Sequence, residues 1–214
     1  MEINNIVKKK ILILAPHTDD GEFGCGASIA KFLEAGAMVY YAAFSTAEES
    51  VPEPFPRNIL EIEVKAATKV LGLQPENLIL YNYPVRNFAY HRQAILEDLF
   101  KLNNEIKPDL VFMPSFEDLH QDHGTIAKEG LRAFKKTSIL GYEIPWNNMN
   151  FATQCFIRIE KEHLDKKIKA LYCYESQKHR SYASEEFVTS LARTRGTQIG
   201  GIYAEVFEVI RWIM

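Results

Sequence analysis

The chain has 214 residues and a net charge of −3, and 47% of its residues are hydrophobic and 25% charged. This length and composition suit one globular domain spanning residues 1–214, and the slightly acidic balance disfavours a nucleic-acid partner. No apolar stretch reaches the roughly 20 residues that a membrane span requires. Three widely spaced cysteines, and the lack of a signal-peptide pattern in residues 1–7, favour a cytoplasmic protein.

Strand-like apolar runs alternate with segments of helical periodicity along the chain. In chain order the prediction is strand 10–15, helix 26–35, strand 38–44, helix 57–71, strand 78–81, helix 92–106, strand 110–113, helix 123–135, strand 139–143, strand 155–159, helix 161–172, helix 185–194 and strand 203–210. Helices between successive strands connect parallel strands and cover the sheet that they form. We therefore predict an α/β fold with a mostly parallel sheet and helices on both faces.

The first predicted strand ends abruptly, and candidate metal ligands follow it. Pro16 stops the apolar run, and His17, Asp19 and Asp20 come within the next four residues. His17 and Asp20 are three positions apart, so their side chains can face one point in a turn or at a helix start. Ligands of α/β proteins usually bind beyond the carboxyl ends of the strands. These residues therefore form one half of a candidate site.

The other half follows the fourth predicted strand, where His120, Asp122 and His123 lie together. Catalytic zinc sites usually have three protein ligands and one open position. His17, Asp20 and one histidine of the second cluster would supply such a set. Imidazole and carboxylate also suit Fe²⁺, Mn²⁺ and Co²⁺, so these residues predict a divalent metal without fixing its identity.

The remaining side chains of the two clusters could perform the chemistry. Asp19 could take a proton from a water that the metal acidifies. The histidine of the second cluster that is not a ligand could stabilise an oxyanion or protonate a leaving group, and Asp122 could orient a ligating imidazole. Each residue also has a structural interpretation: His17 could be a hydrogen-bonded histidine at a strand end, and Asp19, Asp20 or Asp122 could cap a helix.

Two motifs contain these clusters: Pro16-His17-Thr-Asp19-Asp20-Gly-Glu22-Phe-Gly24-Cys25-Gly26 and His120-Gln-Asp122-His123. Together they resemble the LmbE-like or PIG-L family of metal-dependent N-deacetylases. The resemblance implies a Rossmann-like α/β fold, a divalent metal that is usually zinc, and a small-molecule N-acetylglucosamine conjugate as substrate. It also implies individual roles: His17, Asp20 and His123 as metal ligands, Asp19 as general base, His120 as oxyanion donor and Asp122 as support for a histidine.

The resemblance continues into the C-terminal third, but four residues depart from the usual family pattern. Thr18 and Gln121 stand where the family commonly has proline, Gly21 where Glu is frequent, and Tyr174 where His is frequent. None of these changes removes a ligand or the base. We therefore expect hydrolytic activity to be retained, with the substrate more affected than the chemistry.

Three further side chains are candidate substrate contacts. Arg86 follows the third predicted strand and could bind a sugar hydroxyl or an anionic group of the aglycone, or form a surface ion pair. Trp146 could stack on a sugar ring or pack within its own loop. Arg195 could provide another anion contact.

The leading hypothesis is hydrolysis of the N-acetyl group of an amino-sugar conjugate. One alternative is metal-dependent hydrolysis of another amide or of an ester. A second is a sugar-binding relative without turnover, which should have lost Asp19 or a ligand, whereas this chain keeps them. Nucleotide binding is disfavoured because the sequence has neither a G-x-G-x-x-G motif nor a Walker lysine. Relatives form trimers and hexamers, so a homo-oligomer is compatible with the resemblance.

Overall fold

The computed structural model describes residues 7–213. Of residues 1–7, which were considered above for a signal peptide, residues 1–6 lie outside the described range. Within this range the chain forms seven strands and six α-helices, joined in part by one-turn 3₁₀ helices. They are β1 (Lys10–His17), α1 (Asp20–Glu34), β2 (Met38–Ser45), α2 (Ile59–Leu71), β3 (Leu78–Leu80), α3 (Arg92–Ile106), β4 (Leu110–Pro114), α4 (Gln121–Ala133), β5 (Ser138–Tyr142), β6 (Cys155–Ile159), α5 (Lys161–Leu171), α6 (Glu185–Thr197) and β7 (Tyr203–Arg211).

The strands form one sheet in the order β3-β2-β1-β4-β5-β7-β6. The five strands from β3 to β5 are parallel, and β7 is antiparallel to both β5 and β6. The predicted mostly parallel sheet is therefore confirmed. The strand order runs outward from β1 in one direction and from β4 in the other. A crevice opens between the carboxyl ends of such a strand pair, and ligands of α/β proteins bind there.

The side chains of β1 show why both faces of the sheet are buried. Ile11, Ile13 and Ala15 pack in a hydrophobic cluster with α1, α2, α5 and α6. Leu12 and Leu14 point to the opposite face, where they pack with α3 and α4. Side chains alternate between the faces of a strand, so a continuous apolar run indicates a strand covered on both sides. The prediction of helices on both faces is confirmed.

The largest difference from the predicted elements is at the start of α1. The helix predicted from residue 26 begins at Asp20. The prediction missed its first two turns because the three glycines there have low helix propensity and obscure the helical pattern. The backbone leaves helical geometry at Cys25, with φ −150° and ψ 22°. The helix therefore consists of a short first segment that carries Asp20 and a longer second segment that packs on the sheet.

Within residues 7–213, no helix is long and apolar enough to cross a membrane. Cys25, Cys155 and Cys173 are free thiols. The single-domain boundaries and the cytoplasmic location stay predictions.

Candidate active site

The two sequence clusters meet at the carboxyl ends of β1 and β4. His17 is the last residue of β1, and Asp20 is the first residue of α1. His120 is the N-cap residue of α4, which places Asp122 and His123 in the first turn of that helix. Because β1 and β4 are paired parallel neighbours, the segments that follow them border the same crevice.

Three ligand atoms from these segments form a compact triangle. His17 Nδ1 lies 3.1 Å from Asp20 Oδ2, His123 Nε2 lies 3.2 Å from the same oxygen, and the two nitrogens are 3.4 Å apart. Metal–ligand bonds of about 2.0–2.1 Å in a tetrahedral zinc site place the ligand atoms about 3.3 Å from one another. The triangle therefore fits three corners of such a site and leaves the fourth open.

Each histidine of the triangle is held through its other ring nitrogen by a carboxylate. Asp122 Oδ2 lies 3.1 Å from His17 Nε2, and Asp118 Oδ2 lies 2.7 Å from His123 Nδ1. A carboxylate that accepts the outer N–H leaves the lone pair of the inner nitrogen facing the triangle. Asp122 is itself fixed by the backbone N–H groups of Arg86 and Phe88, at 2.6 and 3.2 Å.

Sequence reasoning did not identify Asp118. It lies in the loop after β4, where Oδ1 also accepts the backbone N–H of His120 at 2.8 Å. Its position five residues before His123 in a loop rich in acidic residues was the available signal, but nothing in that spacing distinguishes it from Glu117.

The carboxylates create a negative field at both histidine rings. Burial alone would lower the pKa of each ring. The charge of Asp20 and the hydrogen bonds that the ring donates to Asp122 and Asp20 outweigh burial at His17 and raise its pKa to about 9. Asp20 and Asp118 do the same at His123 and raise its pKa to about 10. A field that favours positive charge at these nitrogens also favours a divalent cation.

Asp19 lies beside the triangle, and its side chain caps no helical N–H group. Burial and the like charge of Asp20 raise its pKa to about 6, against the opposing charges of Arg180 and His17. Asp19 occupies the N-cap position of α1, but its side chain makes no capping hydrogen bond there. A carboxylate with a pKa close to neutrality is suited to accept and return a proton.

His120 is a neutral hydrogen-bond donor at the edge of the triangle. Its Nδ1 accepts the backbone N–H of Asp122 at 3.2 Å, so the proton of the neutral ring is on Nε2. Burial, together with the charges of His123 and His17, lowers the pKa of His120 to about 4. One ring nitrogen lies within 4.8 Å of nitrogens of His17 and His123. We assign Asp20 rather than His120 to the ligand triangle because Asp20 lies closer to both partners.

The turn that carries Asp19 and Asp20 is supported by a buried network. The hydroxyls of Tyr41 and Tyr174 lie 2.8 and 2.7 Å from the carbonyl oxygen of Thr18. Both hydroxyls also contact the carboxyl group of Glu22. Burial raises the pKa of Glu22 to about 8, which makes the group neutral at pH 7. Tyr174, which departs from the family pattern, therefore helps to fix the turn that carries Asp19 and Asp20.

A buried ion pair forms hydrogen bonds with the backbone groups at the kink of α1. The Lys167 ammonium donates to the Phe23 carbonyl at 2.6 Å and to Glu205 Oε1 at 2.7 Å. The Glu205 carboxylate accepts the N–H groups of Ala27 and Ser28, at 3.2 and 2.7 Å. These are backbone groups that an unbroken helix would pair internally. The kink therefore turns the first segment of α1 towards the crevice while these three backbone groups stay hydrogen-bonded.

Gly24 is required where the first segment of α1 crosses β5. A Cβ atom at Gly24 would lie 2.4 Å from the ring of Tyr142, far closer than van der Waals contact. The tyrosine ring cannot retreat freely, because its hydroxyl donates to the Leu14 carbonyl at 3.0 Å inside the core. Glycine therefore allows the ligand-bearing turn to approach the sheet.

The predicted substrate contacts have different environments. Arg86 has an exposed side chain, forms no ion pair within residues 7–213, and adopts φ +68°. Trp146 stacks on Tyr182 with ring centroids 3.7 Å apart and contacts the edge of Phe23 at 5.0 Å, so much of its surface packs within the protein. Arg195 makes a bidentate pair with Glu143 at 2.9 and 2.7 Å. The prediction of an anion contact at Arg195 is wrong because Glu143 already occupies its guanidinium.

Comparisons with known proteins identify related sequences and related folds. The family model described as PIG-L, GlcNAc-PI de-N-acetylase, matches residues 12–134. A protein of Escherichia coli K12, described as the uncharacterized deacetylase YaiS, is 30% identical over 181 residues, which cover 81% of this chain and 92% of that protein.

Solved structures share the fold of the chain. N,N'-diacetylchitobiose deacetylase from Pyrococcus horikoshii superposes with a TM-score of 0.80 at 21% identity, covering 98% of this chain and 86% of that one. GalB, the 4-carboxy-2-hydroxymuconate hydratase of Pseudomonas putida KT2440, gives a TM-score of 0.78 at 19% identity and covers 96% and 98%. The Rossmann-like fold expected from the sequence motifs is therefore confirmed.

Proposed function

The chain belongs to the PIG-L family, and we propose that it is a metal-dependent hydrolase that removes the acetyl group from an N-acetylated amino-sugar conjugate. The observation that carries this proposal is that three candidate ligand atoms converge on one point. Beside them lie the carboxylate of Asp19, which makes no capping hydrogen bond, and the neutral imidazole of His120. Amide hydrolysis requires these groups: a cation, a proton acceptor and a donor for the oxyanion.

We assign His17, Asp20 and His123 as the metal ligands, with Zn²⁺ as the first candidate and Fe²⁺, Mn²⁺ or Co²⁺ as alternatives. The cation would serve as a Lewis acid that acidifies water and polarises the amide carbonyl. Asp122 and Asp118 orient the two ligating imidazoles through their outer nitrogens.

In the proposed reaction Asp19 acts as the general base and later as the acid. Its carboxylate takes one proton from the attacking water, and the new carbon–oxygen bond converts the amide carbonyl into a tetrahedral oxyanion. The Nε2–H of His120 donates to this oxyanion. When the carbon–nitrogen bond breaks, the proton held by Asp19 passes to the departing nitrogen. The products are acetate and the free amine of the sugar.

The fold alone does not choose this reaction, since the same architecture occurs in a hydratase. A metal-dependent hydrolase of another amide or of an ester would use the same residues. A binding protein without turnover is disfavoured because Asp19 and all three ligands are present. We propose a small-molecule amino-sugar conjugate as the binding partner, with no nucleic acid, and with Arg86 and the exposed part of Trp146 as contacts at the rim.

The test is release of primary amine and acetate from a panel of N-acetylglucosamine conjugates by the zinc-loaded protein. Asp19→Asn removes the base, and Asp165→Asn is the matched control because Asp165 is a partly exposed residue paired with Lys161. We expect equimolar amine and acetate from the parent and the control, and about 10²–10⁴-fold less from Asp19→Asn. Absence of both products from every conjugate, with metal content verified, would overturn the proposal.

A further inference from the structure

The adjacent carboxylates of Asp19 and Asp20 are held in different ways. Asp20 Oδ2 accepts the backbone N–H of His17 at 2.7 Å, and the same oxygen contacts both imidazoles of the ligand triangle. The side chain of Asp19 makes no capping hydrogen bond, and it makes no hydrogen bond to another residue within residues 7–213. The position of the Asp19 carboxylate is therefore set by the backbone from which it extends.

The peptide group that leads into Asp19 is held by the hydroxyl of Tyr174. This hydroxyl donates to the carbonyl oxygen of Thr18 at 2.7 Å and lies farther, at 3.1 Å, from Glu22 Oε1. For Tyr41 the order is reversed, and its shorter contact is the one with Glu22. Because a peptide group is planar, a bond to the Thr18 oxygen also orients the N–Cα bond of Asp19. Tyr174 is therefore the side chain best placed to fix the direction in which Asp19 leaves the turn.

Tyr174 is itself held from α2 by a second set of hydrogen bonds. Ser176, in the loop after α5, donates its backbone N–H to Glu63 Oε1 at 2.9 Å and its hydroxyl to Glu63 Oε2 at 2.6 Å. Ser176 and Glu63 are both buried, and hydrogen bonds to a carboxylate are among the strong ones in proteins. The carboxylate of α2 therefore clamps the loop from which Tyr174 reaches the turn.

We propose that Tyr174 is a positioning residue for Asp19, and that Glu63 and Ser176 form a clamp that keeps Tyr174 in place. The inference rests on the proposed function, because it concerns the residue assigned there as general base. Tyr174, Ser176 and Glu63 form no hydrogen bond or ion pair with the three residues of the ligand triangle. Their loss should therefore displace the base and lower kcat, while the metal and the substrate bind as before.

The first test removes the hydroxyl of Tyr174. Tyr174→Phe is compared with Tyr142→Phe, a matched control because Tyr142 is also buried and donates its hydroxyl to a carbonyl oxygen of β1, that of Leu14, at 3.0 Å. Both substitutions delete one buried hydrogen bond to the backbone, but only the first deletes it at the turn. Zinc content and urea unfolding are measured on each zinc-loaded variant before its kinetics.

The second test loosens the clamp. Ser176→Ala removes the hydroxyl that Glu63 accepts, and Ser28→Ala is its control because Ser28 is a buried serine whose hydroxyl has no partner within the described residues. Amine release from the N-acetylglucosamine conjugate that the parent hydrolyses fastest gives kcat and KM. Hydrogen exchange of the amides of residues 18–20, followed by NMR, reports the order of the turn without turnover.

We expect Tyr174→Phe to lower kcat about 10–100-fold, with KM and bound zinc as in the parent. Ser176→Ala should lower kcat less, because its backbone N–H still reaches Glu63. The double variant Tyr174→Phe/Ser176→Ala should fall no further than Tyr174→Phe, since the clamp acts through a hydroxyl that is already absent. Amide exchange of residues 18–20 should be faster in both single variants, and both controls should match the parent.

The outcomes separate the positioning role from the activity. Amine release by the parent with an unchanged kcat in Tyr174→Phe would overturn the positioning role and leave the deacetylase proposal standing. An equal loss of kcat in Tyr142→Phe, or loss of zinc from Tyr174→Phe, would also overturn it. If the parent releases no amine, the proposed function fails and exchange decides. Faster exchange of residues 18–20 in Tyr174→Phe and Ser176→Ala alone would support the positioning of Asp19, and unchanged exchange would refute it.

Discussion

Two buried clusters of charge lie along α1, and they differ in how the charge is balanced. At the kink, Lys167 and Glu205 neutralise each other, and their remaining polar atoms satisfy the backbone of the broken helix. At the crevice, the three carboxylates of Asp20, Asp118 and Asp122 surround two imidazoles, so negative charge exceeds positive charge even when both rings are protonated. The first cluster is complete in itself, whereas the second has an excess of negative charge.

The difference separates buried charge that stabilises a fold from buried charge that binds a ligand. A balanced pair gains little from any further ion, and its removal should affect stability. A cluster with surplus carboxylate gains from a divalent cation, and its alteration should affect metal binding and turnover. The predictions below test this division, beginning with the largest expected effect.

The adjacent carboxylates Asp19 and Asp20 should have separable functions. Asp20→Asn removes a ligand atom from the triangle, so we expect loss of bound zinc and activity at background. Asp19→Asn leaves the triangle intact, so we expect a normal zinc content with activity lowered about 10²–10⁴-fold. Elemental analysis of the purified variants, combined with amine release, distinguishes the two. Full zinc content in Asp20→Asn would contradict the assigned ligand set.

Lys167→Met should destabilise the fold by about 3–5 kcal/mol, because it leaves the Glu205 carboxylate buried without its cation. The double variant Lys167→Met/Glu205→Gln removes both charges and keeps an oxygen for the N–H groups of Ala27 and Ser28. We expect it to recover part of the loss in free energy of unfolding, measured by urea denaturation. A double variant less stable than the single one would show that the pair is not a balanced unit.

Glu22 should make the stability of the folded protein fall as the pH rises from about 4.5 to about 8. Its folded pKa of about 8 lies above its ordinary value of 4.5, so the folded state retains a proton that the unfolded chain releases. The resulting stabilisation is fully present below pH 4.5 and is lost as the pH rises through 8. Between pH 5 and 9 the free energy of unfolding should fall more steeply in the parent than in Glu22→Gln, by a few kcal/mol at most. Parallel pH profiles would contradict a neutral Glu22.

The sequence predicted the parts of this molecule that depend on local patterns. The apolar run of β1 and the His and Asp residues that follow it predicted the sheet and the position of the site. The kink of α1 could not be predicted, since it depends on Lys167 and Glu205 from distant elements. Asp118 could not be distinguished from its neighbours in the sequence, and the pairing of Arg195 with Glu143 could not be predicted from it either. These depend on side chains that meet only after the sheet has formed.

The smallest expected effects concern the two carboxylates that orient the histidines. Asp118→Asn and Asp122→Asn keep the side-chain shape but weaken the charge-assisted contact to His123 and His17, so we expect zinc affinity to fall about 10–100-fold in each. Asp122 also accepts the backbone N–H groups of Arg86 and Phe88, and its substitution should therefore loosen that loop as well. Competition with a zinc chelator gives the affinities, and hydrogen exchange of residues 86–88 reports the loop. Equal exchange of residues 86–88 in both variants would contradict a separate role of Asp122 in holding that loop.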